Sequence, residues 1–321
     1  MKTFAVALAL LSAPAAAAGF GDSSMGRKPY GVLLLAPDTG GAFKTELSFI
    51  RSQLQGVPLD SVETFNDGTA VQRAVDRLNA QHVSKIVAIP LDLVSESAGM
   101  EHLRYLFGIR EQPVSDRPDD TRAPTAPVKS LNKSSIVLPG RGPKRLKSDA
   151  ELVLTATIDK SPALAEILGE RAVALARDPA KEAVLLVGVG PRSDKSLDAW
   201  KTAASAIAET VRVKGGFRAS GILWVRDGTR AGQQDKDRDE NRATLRGLVT
   251  AGGVVAVPLA LDGRRAGKLL QRQLGSGGYR WNGKGVLGDP RLAEWIVSIS
   301  KAASALPDVR RFKDNAQGGF R

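Results

Sequence analysis

The sequence predicts an α/β protein built as two tandem lobes, each a mostly parallel sheet flanked by helices. Runs that are apolar at consecutive positions alternate with amphipathic stretches from Tyr30 onward. The order of those runs recurs in the second half of the chain. The 321 residues also supply enough length for two cores at roughly 150 residues each.

Residues 31–36, Gly-Val-Leu-Leu-Leu-Ala, are apolar without alternation and read as a strand buried on both faces. Residues 46–54 place Leu47, Ile50 and Leu54 on one helical face, with Gly56 just past the end. A short strand is expected at 61–65, then a helix over 69–78 with Val71, Val75 and Leu78 at helical spacing. Residues 85–91, Lys-Ile-Val-Ala-Ile-Pro-Leu, form another buried strand, and 99–107 another helix. The second half repeats this order. Val184 to Gly188 mirrors Val32 to Ala36, Val254 to Leu261 mirrors Ile86 to Leu93, and Asp289 to Ile296 mirrors Ser161 to Leu168, at offsets of 152, 168 and 128 residues. The uneven offsets mean extra length before the Val-Pro-Leu strand of the second copy and an insertion after Phe107 in the first.

Composition closes several routes. With no cysteine, the chain has no disulfide scaffold, thiolate metal site, cysteine catalysis or lipoprotein anchor. Its two histidines, His82 and His102, are too few for a three-histidine zinc site. The net charge of +12 is unevenly spread. Residues 110–148 hold nine Lys/Arg against four Asp/Glu and the tail from Pro307 a further net +2; with these and Lys2 set aside, the core carries about +4. A nucleic-acid-binding core would be more basic and would show a recognisable module, so no nucleic-acid partner is expected.

The N-terminus reads as an address. Met1-Lys2-Thr3 is a basic start, residues 4–11 are apolar, and Ala15 to Ala18 supply a small-residue cleavage pattern ending near Ala18. The run is too short for a bilayer about 30 Å thick, which takes about 20 apolar residues, and no later stretch is long and apolar enough to span one. The expected product is periplasmic or secreted. The expected organisation is a signal peptide over 1–18, a first lobe over 30–180 with a basic, proline-rich insertion at 109–148, a second lobe over 181–305, and a flexible tail over 306–321.

Taken together, residues 71–78 (Val-Gln-Arg-Ala-Val-Asp-Arg-Leu), 86–93, 103–108, 215–219, Tyr279-Arg280-Trp281 and 289–296 resemble the CbiX/SirB-type sirohydrochlorin chelatases in duplicated form. The likeness runs from about Tyr30 to Ala305 outside 109–148, and lies in order and spacing rather than in one motif. It implies two Rossmann-like lobes facing across a cleft, and insertion of Co2+ or Fe2+ into sirohydrochlorin, a carboxylate-rich tetrapyrrole. It also implies one histidine after the first strand and another after the Val-Pro-Leu strand, neutral imidazoles that hold the ion and accept displaced pyrrole protons.

At those positions this chain carries Pro37, Glu96 and, in the second copy, Val189; Leu261-Asp262-Gly263 likewise lacks a histidine. Proline and valine offer no side-chain donor or acceptor. His82 sits in a polar turn before a strand and is expected to be exposed. His102 reads either as a ligand reaching the cleft or, the favoured reading, as a surface helix residue beside Glu101. Asp38 and Glu96, with Glu63 or Asp67 near the second strand's end, could supply hard oxygen ligands, or each of Asp38 and Glu96 could cap a helix. The glycines at 40–41 and at 188 and 190 lack a phosphate-loop ending and read as turns needing positive φ. The mixed-sign run 235–240 reads as a solvated helix start rather than a calcium loop.

Three readings of function follow. The leading one is an exported chelatase-like protein, degenerate at the metal-insertion histidines, that binds a tetrapyrrole such as sirohydrochlorin, or a divalent metal (Co2+ or Fe2+), in the cleft. The second is an active chelatase using Asp38, Glu96 and His102 as metal ligands. The third is a non-catalytic periplasmic interaction protein whose 109–148 segment contacts an anionic surface.

Overall fold

A computed structural model describes residues 29–36, 40–65, 67–112, 144–191, 194–226, 229, 231–250 and 252–311. The signal-peptide reading and most of the 109–148 insertion lie outside these residues.

The consecutive apolar runs become the middle strands of two sheets, where both faces are covered. In the first sheet, β1 (Gly31–Leu35) lies between β2 (Leu59–Val62) and β3 (Lys85–Pro90), and β4 (Glu151–Leu154) completes the order β2-β1-β3-β4. In the second, β5 (Ala183–Val189) lies between β6 (Ala219–Val225) and β7 (Val254–Pro258), with β8 (Arg280–Trp281) outermost, in the order β6-β5-β7-β8. Every pairing is parallel. The central registers correspond: Val32 pairs with Val87 and Val184 with Val255. The second strand falls at 59–62 rather than 61–65. Pairing starts directly after Pro58, whose carbonyl accepts the Val32 N–H at 2.7 Å, and stops where β1 stops, at Leu35 opposite Val62.

Helices α1 (Gly40–Gln53), α2 (Gly68–Asn79) and α3 (Ala98–Leu106) belong to the first half of the chain, and α5 (Asp194–Gly215), α6 (Ala231–Val249) and α7 (Gly263–Leu274) to the second. Asp67 starts α2 by accepting from the Thr69 and Ala70 N–H groups, and Val71, Ala74, Val75 and Leu78 form its buried stripe. Two further helices exchange sheets. α4 (Pro162–Leu175), capped by Ser161, packs on β7 and α5 of the second sheet. α8 (Pro290–Ser304), capped by Asp289, packs on β3 and α1 of the first. Each helix starts with proline at its first position, pre-set for helical φ just after a capping side chain. A boundary at 180 therefore separates α4 from the sheet that it covers.

The strands' period of two divides the core. Val32, Leu34, Val87 and Ile89 face a cluster that continues through Leu164, Ile167, Val184, Leu186, Val255, Val257 and Ile296, joining both sheets through the exchanged helices. Leu33, Leu35, Ile86 and Ala88 face the other side, against α2 and α3 residues such as Val75 and Leu103. Leu185, Val187, Leu223 and Ala256 do the same in the second sheet, with Leu269 and Leu270 of α7. Each such valine, leucine or isoleucine, at zero or near-zero exposure, contributes about 1.5–3 kcal/mol of burial.

The chain returns from the insertion already docked. The Gln72 amide donates to the Lys147 carbonyl at 2.7 Å and accepts its N–H at 2.8 Å, and the Leu146 N–H reaches the Leu106 carbonyl. The expectation of a flexible tail from 306 fails for 306–311. Val309 packs against the first sheet's outer cluster, and Arg310 donates to the Ser148 and Ala150 carbonyls at 2.9 Å each.

Candidate functional site

Open parallel sheets place ligands beyond the carboxyl ends of their strands. Pro37 and Asp38, after β1, lie outside the described residues. Val189 is the last residue of β5, half-buried and paired with Val225. The glycines beside it are packing residues rather than positive-φ turns. A Cβ on Gly188 would stand 2.1 Å from the Trp224 ring, and one on Gly190 would stand 3.0 Å from Arg226 and 3.1 Å from Trp224. Trp224 itself meets Trp200 edge-on, with ring centroids 5.4 Å apart. This end of β5 is filled by indole.

Arg226, just past β6, is buried to 1% exposure and holds Asp237 in a two-pronged ion pair, with Asp194 at 2.5 Å on its other side. The solvated reading of 235–240 is thus corrected at Asp237, which is 4% exposed because Arg226 reaches it from beneath α6. Its neighbours Asp235, Lys236, Asp239 and Glu240 are exposed.

The loop after β3 gathers carboxylates. Asp92 accepts the Ser97 hydroxyl and the Val94 N–H. Asp159, from the turn after β4 and only 2% exposed, accepts the Ser95 N–H at 3.1 Å and the Thr157 hydroxyl. Burial is the main force on the Asp92 carboxyl and pushes it up to about 6; the Asp159 charge adds to the rise, while bonds from Ser97, Val94 and Leu93 oppose it. Glu96 points outward beside this pair, half-exposed, and Lys160 Nζ stands 3.6 Å from both Glu96 and Asp159. Glu96 is not a helix cap. Ser97 is, accepting from the Met100 N–H at 3.0 Å.

His102 departs from its expected surface position. It lies on the inward face of α3 with Met100, Leu103 and Leu106, at 5% exposure, because that face packs against the outer side of the first sheet. Its Nε2 has no partner, and burial lowers its pKa, which favours the neutral ring. His82 is exposed, at a positive φ of 57° in the turn before β3. Among the described residues, no three His, Asp or Glu side chains converge on a point that could hold a metal ion. Asp92 and Asp159 were not singled out by sequence. The available signal was an aspartate between two leucines in an apolar strand run, Leu91-Asp92-Leu93, which marks a buried carboxyl.

At the second sheet a cavity of about 610 Å³ opens beside β8. It is walled by Glu170, Arg171 and Ala174 of α4, by Leu261 and Asp262 after β7, and by the glycine-rich stretch 282–289. Asp262 caps α7 by accepting the Arg264 N–H at 3.0 Å. Behind the cavity, Glu46 of α1 accepts the Gly288 N–H at 2.6 Å, and burial raises its carboxyl pKa. Sequence reading did not anticipate this cavity, since the α4 wall lies about 90 to 120 residues before the others in the chain.

No protein-family model matches the chain, and no curated protein does. Among solved structures, the sirohydrochlorin chelatase SirB from Bacillus subtilis subspecies spizizenii, in complex with cobalt, is 11% identical, with 92% of this chain and 99% of that one covered at a TM-score of 0.50. SirB from Bacillus subtilis with Fe3+ is 11% identical over 86% and 96% of the chains, at a TM-score of 0.49. A multi-domain protein of Deinococcus radiodurans with structural similarity to chelatases is 15% identical at a TM-score of 0.49; the match covers 91% of this chain but only 56% of that protein. The likeness shows a chelatase-like α/β fold.

Proposed function

We propose that this chain is an exported chelatase-fold protein that has lost imidazole metal insertion and binds a tetrapyrrole such as sirohydrochlorin. The two lobes are read as copies of one ancestral unit, with the ligand bound between them. The observation that carries the loss of insertion is the company Glu96 keeps. Lys160 Nζ stands 3.6 Å from both Glu96 and Asp159, so an ammonium already sits where a divalent ion would need to approach them. Val189 at the equivalent end of β5 offers no ligand atom, and His102 is turned into the core. The same contacts weigh against Glu96 and His102 as metal ligands, while Asp38 lies outside the described residues.

The test mixes the purified full chain with sirohydrochlorin and Co2+ and follows absorbance. The expected result is a tetrapyrrole spectral shift on binding, with metal entering no faster than in buffer. Insertion well above the uncatalysed rate would overturn the degenerate site, and an unchanged spectrum would overturn tetrapyrrole binding.

A further inference from the structure

Positive charge gathers on the outer side of the second sheet. Residues 241–280 hold seven Lys/Arg against a single acid, Asp262. Two of the seven are consumed locally: Arg264 pairs with Asp262 at 2.5 Å, and Arg280 with Glu182 at 2.7 Å. The other five are Arg242 and Arg246 on α6, and Arg265, Lys268 and Arg272 on α7. Arg242, Arg246 and Lys268 are exposed and have no ion partner among the described residues. The acids of α6 all come before residue 241. Asp237 is buried against Arg226, Asp235 pairs with Arg238, Glu240 lies 3.9 Å from Lys236, and exposed Asp239 stands about one turn before Arg242.

The fold sets these charges side by side. Leu245 of α6 and Leu269 and Leu270 of α7 enter the same outer cluster, and Asn241 Nδ2 donates to Gln273 Oε1 at 2.8 Å where the helices touch. Arg242 and Arg246 are four residues apart, as are Lys268 and Arg272, so each pair shares one stripe of its helix. Neighbouring charges then lie about 6 Å apart along a stripe and about 10 Å apart between helices. Those spacings fall within a Debye length of about 10 Å at 0.1 M, so the five act as one field. The architecture does not require it. The corresponding helices of the first half mix their charges: α2 has Arg73 and Arg77 with Asp76, Arg77 being held by Asp60 at 2.6 Å, and α3 has Arg104 paired with Glu101.

We propose that the outer face of α6 and α7 docks on an anionic lipid bilayer, with Arg242, Arg246, Arg265, Lys268 and Arg272 set against the headgroup phosphates. The partner follows from the chemistry of the face. Neither helix contains an aromatic residue, so it offers no platform for stacked bases and no aromatic anchor of the kind that centres a protein interface. Val249, 41% exposed near the end of α6, is the large apolar side chain beside the stripes. Long cationic side chains spread over two helices are attracted by charge, and a laterally mobile layer of anionic headgroups meets them without a matching shape. The proposal makes no use of the tetrapyrrole reading, which the sirohydrochlorin titration tests separately.

The experiment sediments the full chain with phosphatidylcholine vesicles made with and without phosphatidylglycerol. The expected result is binding to the phosphatidylglycerol vesicles alone, falling as salt is raised. The triple variant Arg242→Gln, Arg246→Gln, Lys268→Gln puts a good helix former at three exposed positions. It is expected to bind about a hundredfold more weakly, about fivefold for each charge removed. A second triple variant, Lys44→Gln, Lys201→Gln, Lys301→Gln, removes the same charge from exposed positions on α1, α5 and α8 and is expected to bind as the parent does. Equal weakening by both variants would show that net charge alone acts, and would overturn the proposal. So would binding that the first variant leaves intact, or equal binding to the two kinds of vesicle. Binding to polyglutamate with none to vesicles would assign the face to an acidic protein instead of a lipid surface.

Discussion

Replacing Asp92 by asparagine should stabilise the protein at neutral pH and change its pH dependence in a calculable way. The Asp92 carboxyl is pushed up to about 6 from an ordinary value of 3.8. A folded value above the unfolded one means that the native state binds more protons between those two pH values. Stability from protonated Asp92 is therefore fully present below about pH 4 and is lost as pH rises through about 6. At about 1.36 kcal/mol per unit, the loss reaches about 3 kcal/mol, reduced toward about 2 because Asp92 keeps some contact with solvent. Asparagine has the same shape: its oxygen can take the Val94 N–H, and its amide can donate to the Ser97 hydroxyl in place of receiving from it. Urea unfolding of both proteins at steps from pH 4 to pH 8 isolates this group together with its coupling to Asp159, since groups not coupled to Asp92 cancel in the difference. The difference should be near zero at pH 4 and favour Asp92→Asn by about 2 kcal/mol at pH 8. A flat difference, or a parent more stable than the variant at pH 8, would refute the account of a buried, reluctantly charged carboxyl.

Arg226→Met leaves Asp237 buried with only the Gln233 amide at 2.9 Å, and should cost about 3–5 kcal/mol in denaturant unfolding. A loss under about 1 kcal/mol would show that the pair is not desolvated as described. Gly188→Ala forces the Trp224 ring away from the β5 backbone and should cost about 1–3 kcal/mol. Tryptophan fluorescence should change with it, because Trp200 and Trp224 are in edge contact; an unchanged spectrum and stability would contradict the close fit.

Several contacts were invisible to local pattern. His102 and Glu101 are adjacent in sequence, yet the first is buried and the second is paired with Arg104 and Arg110. A rotation of one residue on a helix is enough to separate them, and only the packing of α3 on the sheet sets that rotation. Asp237 looked like one more charge in a solvated run because its partner, Arg226, lies eleven positions earlier on a different element. The glycines around Val189 looked like turn residues because the indole that needs their space belongs to the neighbouring strand, β6.

The amino-acid order by itself determined the α/β class, the consecutive-apolar strands and the matching segments 161–168 and 289–296 that open α4 and α8, since each rests on residues within a turn or two of one another. Tertiary structure alone decided that α4 covers the second sheet and α8 the first, that Lys160 stands between Glu96 and Asp159, and that a cavity opens beside β8. Those outcomes depend on contacts between segments tens to hundreds of residues apart, where side-chain volume and charge pairing select among arrangements that the local pattern leaves equal.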